Sequence, residues 1–161
     1  MFDARQRMPV CRRVLFKERS RSVTVTEETI ELTLPSRVEA IAEAAAKADE
    51  VAARFQLSED AAFGLDMAVR EAVTNAVLHG NKQDASKPVE IAFTGAGGEL
   101  VVTVRDRGTG FDPANVDDPT AEQNLLKASG RGILFMRNFM DTVEWSSHPE
   151  GGTVVRMTKK L

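Results

Sequence analysis

The hydrophobic period of this chain switches repeatedly between two residues and about 3.6, and this alternation restricts the available folds more than any other feature. Val23 and Val25, then Ile30, Leu32 and Leu34, alternate with polar residues as half-buried strands do. Pro35 closes that run, and Ser36 with Glu39 three residues on predicts a capping box. Val38, Ile41, Ala42, Ala45, Ala48, Val51, Ala52 and Phe55 then recur at helical spacing. Ser58, followed by Glu59 and Asp60, opens a second helix whose apolar stripe runs from Ala62 through Leu65, Ala68, Val69, Ala72, Val73 and Ala76 to Val77. Gly80 is expected to stop it.

Beyond that stop the period returns to two. Val89, Ile91 and Phe93 alternate, Gly95-Ala96-Gly97-Gly98 predicts a loose four-residue turn, and Leu100, Val102 and Val104 alternate again. Residues 107–130 lack periodicity and predict a long mobile loop. Ile133, Leu134, Met136 and Phe139 predict a third helix. Val143 and Trp145, then Val154, Arg156 and Thr158, predict a closing hairpin around residues 149–152. The order β-α-α-β-β-loop-α-β-β implies an α+β fold, a two-layer α/β sandwich with helices on one face of a mixed, mainly antiparallel sheet.

The 161 residues suit one domain, and 42% apolar with 28% charged residues excludes a disordered chain, a coiled-coil rod or a disulfide scaffold. The single cysteine, Cys11, can form neither an intramolecular bridge nor a multi-cysteine metal site. No apolar run approaches the roughly 18 residues of a membrane span. The basic start lacks the continuous apolar segment of a secretory signal. A soluble, cytoplasmic protein is expected. Residues 1–21 carry seven basic side chains against Asp3 and Glu18, a net of +5, while the remainder carries −8. Residues 1–21 are therefore expected to be a basic, flexible extension, and 22–161 the domain. Such an arm can serve nucleic acid or a membrane surface. No aromatic pattern or amphipathic face accompanies it, so neither partner is expected.

Four short segments carry candidate chemistry. Glu71 and Asn75 stand four apart on the second helix, so their side chains share a face. A carboxamide oxygen suits a hard cation, and a carboxylate can take a proton from a nucleophile. A surface Glu with an incidental Asn would look the same. Asp106, with Gly108 and Gly110, follows a strand directly; the glycines permit a sharp turn and close approach of a flat ligand, as they would in any Asp-x-Gly turn. Gly130-Arg131-Gly132 runs into a helix start, where free amides favour an anion, though a glycine hinge reads alike. Gly151-Gly152-Thr153 enters the last strand with a hydroxyl that could face the same pocket. Neither a dinucleotide-fold nor a P-loop glycine spacing is present.

Taken in order, these segments resemble the Bergerat ATP-binding fold of histidine kinases, DNA gyrase, the Hsp90 chaperone and MutL proteins. Glu71-Ala-Val-Thr-Asn-Ala-Val-Leu-His-Gly80, with Asn138-Phe139-Met140-Asp141, is similar to the bacterial anti-sigma factor serine kinases of partner-switching systems. That resemblance spans about residues 27–161. It implies Glu71 as catalytic base, Asn75 as the Mg²⁺ ligand, and Asp106 as the adenine-reading carboxylate, with Gly108 and Gly110 forming its turn. It further implies Gly130, Arg131 and Gly132 at the phosphates and Thr153 near the adenine. ATP and Mg²⁺ are the implied cofactors; a sigma factor and an anti-sigma factor antagonist are the implied partners, and a homodimer is possible. The function implied is a serine/threonine protein kinase that phosphorylates the antagonist and sequesters the sigma factor. The alternative is an ATP-binding partner-switch module with little or no kinase activity.

Overall fold

A computed structural model describes residues 10–13, 26–110 and 128–161. Among them, strands β1 (Val10–Arg13), β2 (Thr26–Pro35), β3 (Pro88–Ala96), β4 (Glu99–Arg105), β5 (Thr142–Ser147) and β6 (Thr153–Lys160) form one sheet in the order β1-β2-β3-β4-β6-β5. Every neighbouring pair is antiparallel. Helices α1 (Glu39–Arg54), α2 (Glu59–Asn75) and α3 (Ala128–Phe139) complete the α+β sandwich that the alternating periods imply.

The register explains why the helices cover one face. Ile30, Phe93, Val102, Met157 and Val143 stand side by side across five strands, as do Leu32, Ile91, Val104, Val155 and Trp145. These rows meet Ala44, Ala48, Val51, Leu65, Ala68, Val69, Ala72, Val73 and Met136 from the helices in one core. Phe93, Leu34, Leu65, Ile91 and Met157 are less than 2% exposed, and burying each side chain of that size contributes roughly 1.5–3 kcal/mol. Alanines line α1 and α2 because short side chains let two helices lie close together on a sheet. The ring of Phe55 lies on Gly95, where an added Cβ would stand 2.1 Å from it. On the opposite face, Glu31, Thr33, Glu90, Arg105, His148 and Val154 line a concavity of about 430 Å³ that contains none of the candidate site residues.

Several local expectations need correction. Ser36 does not cap α1: Val38 holds the N-cap position without a side-chain bond, and Ser36 is buried with its hydroxyl donating to the Lys87 carbonyl at 2.7 Å. Ser58 does cap α2, its hydroxyl accepting from the Ala61 amide at 3.3 Å. The β3–β4 connection is tighter than four residues. Ala96 pairs with Glu99, leaving only Gly97 and Gly98 to turn, both with positive φ of 61° and 82°, as a right-twisted hairpin prefers. In β6 the core side chains are Val155 and Met157, so the inward parity is opposite to the Val154, Arg156, Thr158 series.

Four residues of the basic arm, Val10–Arg13, pair with β2 as an edge strand, so over that stretch the backbone belongs to the sheet and the arm is not a wholly separate extension. The predicted loop over 107–130 ends earlier than its glycines suggest, because α3 begins at Ala128. The expectation of mobility over 112–127 lies outside the described residues. Among the described residues, no helix is long and apolar enough to cross a membrane.

Candidate nucleotide site

Helix α2 does not end cleanly at its last α-helical residue. Ala76–Gly80 continues it as a π turn, closed by the Asn81 amide donating to the Ala76 carbonyl at 2.8 Å. Such wide turns recur at functional sites because they re-aim the next residues without ending the helix. Here the turn runs from Asn75, beside Glu71, to Gly80, which lies against Asp106. Two groups of candidate residues are thereby joined by one continuous segment.

At the first group, Glu71 is half-buried, with the Asn75 carboxamide one helical turn away. Loss of water raises the Glu71 pKa above its ordinary 4.5; the Asn75 carboxamide and the positive charge His79 can carry oppose that shift without cancelling it. Helix α3 crosses directly over this carboxylate. A Cβ placed on Gly132 would stand 1.6 Å from Glu71 Oε1, so any side chain there would displace Glu71.

With α3 starting at Ala128, the free amides of its first turn extend to Gly130, whereas Gly132 lies inside the helix. Its missing side chain leaves room for Glu71. The side chain of Arg131 lies outside the described residues.

The second group surrounds Asp106, which is 6% exposed at the end of β4. Its Oδ1 accepts from the Gly108 amide at 2.9 Å and the Thr153 amide at 3.2 Å. Its own amide donates to the Thr153 carbonyl at 3.0 Å. The Thr153 backbone, at the start of β6, is therefore tied to Asp106 twice, by its amide to the carboxylate and by its carbonyl to the Asp106 amide.

Three glycines make the approach possible. An added Cβ on Gly80 would reach Asp106 Oδ2 at 2.4 Å, one on Gly108 the Gly80 carbonyl oxygen at 2.2 Å, and one on Gly152 the Asp106 carbonyl oxygen at 2.0 Å. Gly110 is different: among the described residues nothing lies within 4 Å of an added Cβ, and its φ of 93° is what calls for glycine.

One buried polar residue escapes the sequence reading. Asn81 is 1% exposed; its Oδ1 accepts from the Arg107 amide at 2.7 Å, and its Nδ2 donates to Ser36 Oγ at 2.8 Å, Pro88 O at 3.1 Å and Lys87 O at 3.2 Å. An Asn after a Gly at a helix end reads as an ordinary exposed cap, and no spacing marks it as buried. Asn81 is thus the residue that the motifs did not include, while Gly80 and Gly152 stand in them only as a helix stop and a strand entry.

The donor set fits the groups that the motifs imply. Backbone stripped of side chains around a fixed carboxylate can admit a flat base. Asn75 offers a hard neutral oxygen, and among the described residues no cluster of three or more His, Cys, Asp or Glu forms a protein-only metal cage. A magnesium ion there would take its remaining ligands from phosphates and water.

A family model described as a histidine kinase-like ATPase domain matches residues 34–159, and the chain belongs to that family. Within it, the chain is similar to anti-sigma F factors. It is 40% identical over 99 residues to that of Bacillus subtilis, covering 58% of this chain and 65% of the relative. It is 38% identical over 106 residues to that of Heyndrickxia coagulans, covering 63% and 71%. The chain thus spans about two thirds of the length of these relatives. The fold is similar to a crystal structure of the RsbU and RsbW domains of a Mycobacterium tuberculosis protein, with a TM-score of 0.61 and 22% identity, covering 83% of this chain and 32% of that one.

Proposed function

We propose that this protein is an ATP-dependent serine/threonine protein kinase and anti-sigma factor, phosphorylating an anti-sigma factor antagonist and sequestering a sigma factor. The observation that carries the reading is the placement of a half-buried Glu71 and Asn75 one helical turn apart on α2, with Gly132 of α3 packed against the carboxylate. In this reading the Asp106 carboxylate accepts from the adenine amino group, with Gly108, Gly110 and Thr153 beside the base. Gly130 and Arg131 meet the phosphates, and Gly132 leaves room for Glu71.

Asn75 would hold Mg²⁺, which when bound supplies charge neutralisation along the phosphates. Glu71 accepts the seryl proton as the hydroxyl oxygen bonds to the γ-phosphorus and the bond to the bridging oxygen of ADP breaks. A base whose pKa lies closer to neutrality does this better than an ordinary glutamate. A homodimer in the cytoplasm, where sigma factors act, belongs to the same reading.

One observation favours the second reading, an ATP-binding partner switch with little or no kinase activity: Gly132 stands against the Glu71 carboxylate, covering the proposed base. Incubating the protein with radiolabelled ATP, Mg²⁺ and its cognate antagonist separates the two. Label on an antagonist serine is expected. Capture of ATP and a sigma factor with no label transfer would instead establish the switch.

A further inference from the structure

The Asn81 amide is fully committed inside the protein, and what it holds is the backbone of the adenine-reading loop. We propose that Asn81 is a positioning residue that sets Asp106 for adenine, and thereby makes the base selectivity of the site depend on a side chain that touches no ligand. This rests on the reading of Asp106 given above.

The Arg107 amide that Asn81 Oδ1 accepts from belongs to the peptide unit whose carbonyl is that of Asp106. On the carbonyl side, Gly152 approaches so closely that a Cβ would stand 2.0 Å from the oxygen. The peptide plane next to Asp106 is therefore bonded at its amide end and packed against Gly152 at its carbonyl end. One residue later, the Gly108 amide donates to Asp106 Oδ1, so an error in that plane passes directly to the carboxylate.

The other half of Asn81 anchors it. Its two amide hydrogens serve Ser36 Oγ and the carbonyls of Lys87 and Pro88, tying it to the end of β2 and the start of β3. Asn81 also closes the π turn through its own backbone amide. The segment bearing Glu71 and Asn75 and the loop bearing Asp106 consequently share one buried clamp. A carboxamide suits this place, since it alone among small side chains accepts on one side and donates twice on the other.

ATP and inosine triphosphate separate this role from simple stability, because inosine lacks the exocyclic amine that Asp106 would read. Dissociation constants for both nucleotides are measured on wild type, Asn81→Ala, Asn81→Ser and Ser36→Ala, well below each melting temperature. Ser36→Ala breaks the anchor at one point and leaves the Arg107 bond intact, so it controls for destabilisation. The expected result is that the preference for ATP falls about fivefold or more in the Asn81 variants, the scale of one misplaced hydrogen bond. It should stay within about twofold of wild type in Ser36→Ala. If the Asn81 variant that folds melts earlier yet keeps the wild-type preference, Asn81 is only structural and the proposal is overturned. If wild type itself binds the two nucleotides equally, the adenine role of Asp106 fails, and the inference with it.

Discussion

The two ends of the candidate site are made of different material. Around Asp106 nearly everything is backbone: two amides on one carboxylate oxygen, a reciprocal bond to Thr153, and three glycines whose missing side chains admit carbonyls and the carboxylate itself. Asn81 adds a side chain but spends three of its four bonds on backbone groups. Around Glu71 the reverse holds. The carboxylate is half-buried, next to the Asn75 carboxamide, and pushed up in pKa by lost water. Groups committed to backbone partners cannot relax, which suits selection of a rigid base. A titratable group left short of water and partners suits proton transfer, where energy must change as the proton moves. The Asp106 end should therefore govern binding, and the Glu71 end should govern rate.

The hardest blow to that division is Glu71→Ala. Transfer to the antagonist should fall on the order of 10²-fold or more, with ATP affinity changed only a few-fold. Single-turnover transfer and equilibrium nucleotide binding, measured on the same preparation, check both halves. Equal transfer rates in variant and wild type would remove Glu71 from the chemistry. A parallel collapse of affinity would show that the two ends are not separable.

Asp106→Asn should do the opposite, at smaller scale. One acceptor oxygen becomes a donor facing the adenine amine, and affinity for ATP should fall about tenfold. Transfer from saturating ATP should change far less than in Glu71→Ala. Calorimetric titration with ATP tests the first point, and undiminished affinity would contradict the adenine assignment.

The smallest effect is one of pH. Because the folded pKa of Glu71 is raised, the unfolded chain loses this proton first as pH rises from the ordinary value of 4.5. This group's contribution to stability is thus present below 4.5, falls as pH rises through the window above it, and levels off beyond the folded pKa. Glu71→Gln removes that slope. Denaturant midpoints of wild type and Glu71→Gln compared across the window should converge at low pH and separate above it, with the variant the more stable. Phosphorylation by wild type should rise through the same window.

Much of the architecture is legible in the residues before any coordinates. The periods of two and 3.6 placed the strands and helices in order because burial on one side of a sheet or helix demands that spacing. Ser58 announced its helix start because its cap bond is local, three residues away. Ser36 carried a similar signal and answered to another demand: its hydroxyl meets Lys87 and Asn81, 51 and 45 residues distant. The loose turn at Gly95–Gly98 tightened because Gly95 already had a task in the strand, under Phe55.

For the site, the same boundary runs between local and distant contacts. Residue order alone puts a Glu and an Asn on one face of a helix, an Asp at a strand end before glycines, and Gly-Gly-Thr at the opening of the last strand. These features come from spacing along a regular backbone. Only the tertiary structure decided that Gly132 is bare for the sake of Glu71, that Gly80 and Gly152 are bare for the sake of Asp106, and that Asn81 is buried. Each of those facts concerns what one segment meets on another far along the chain. A missing side chain carries no mark of the atom that fills its space, so no pattern within the segment could have named it.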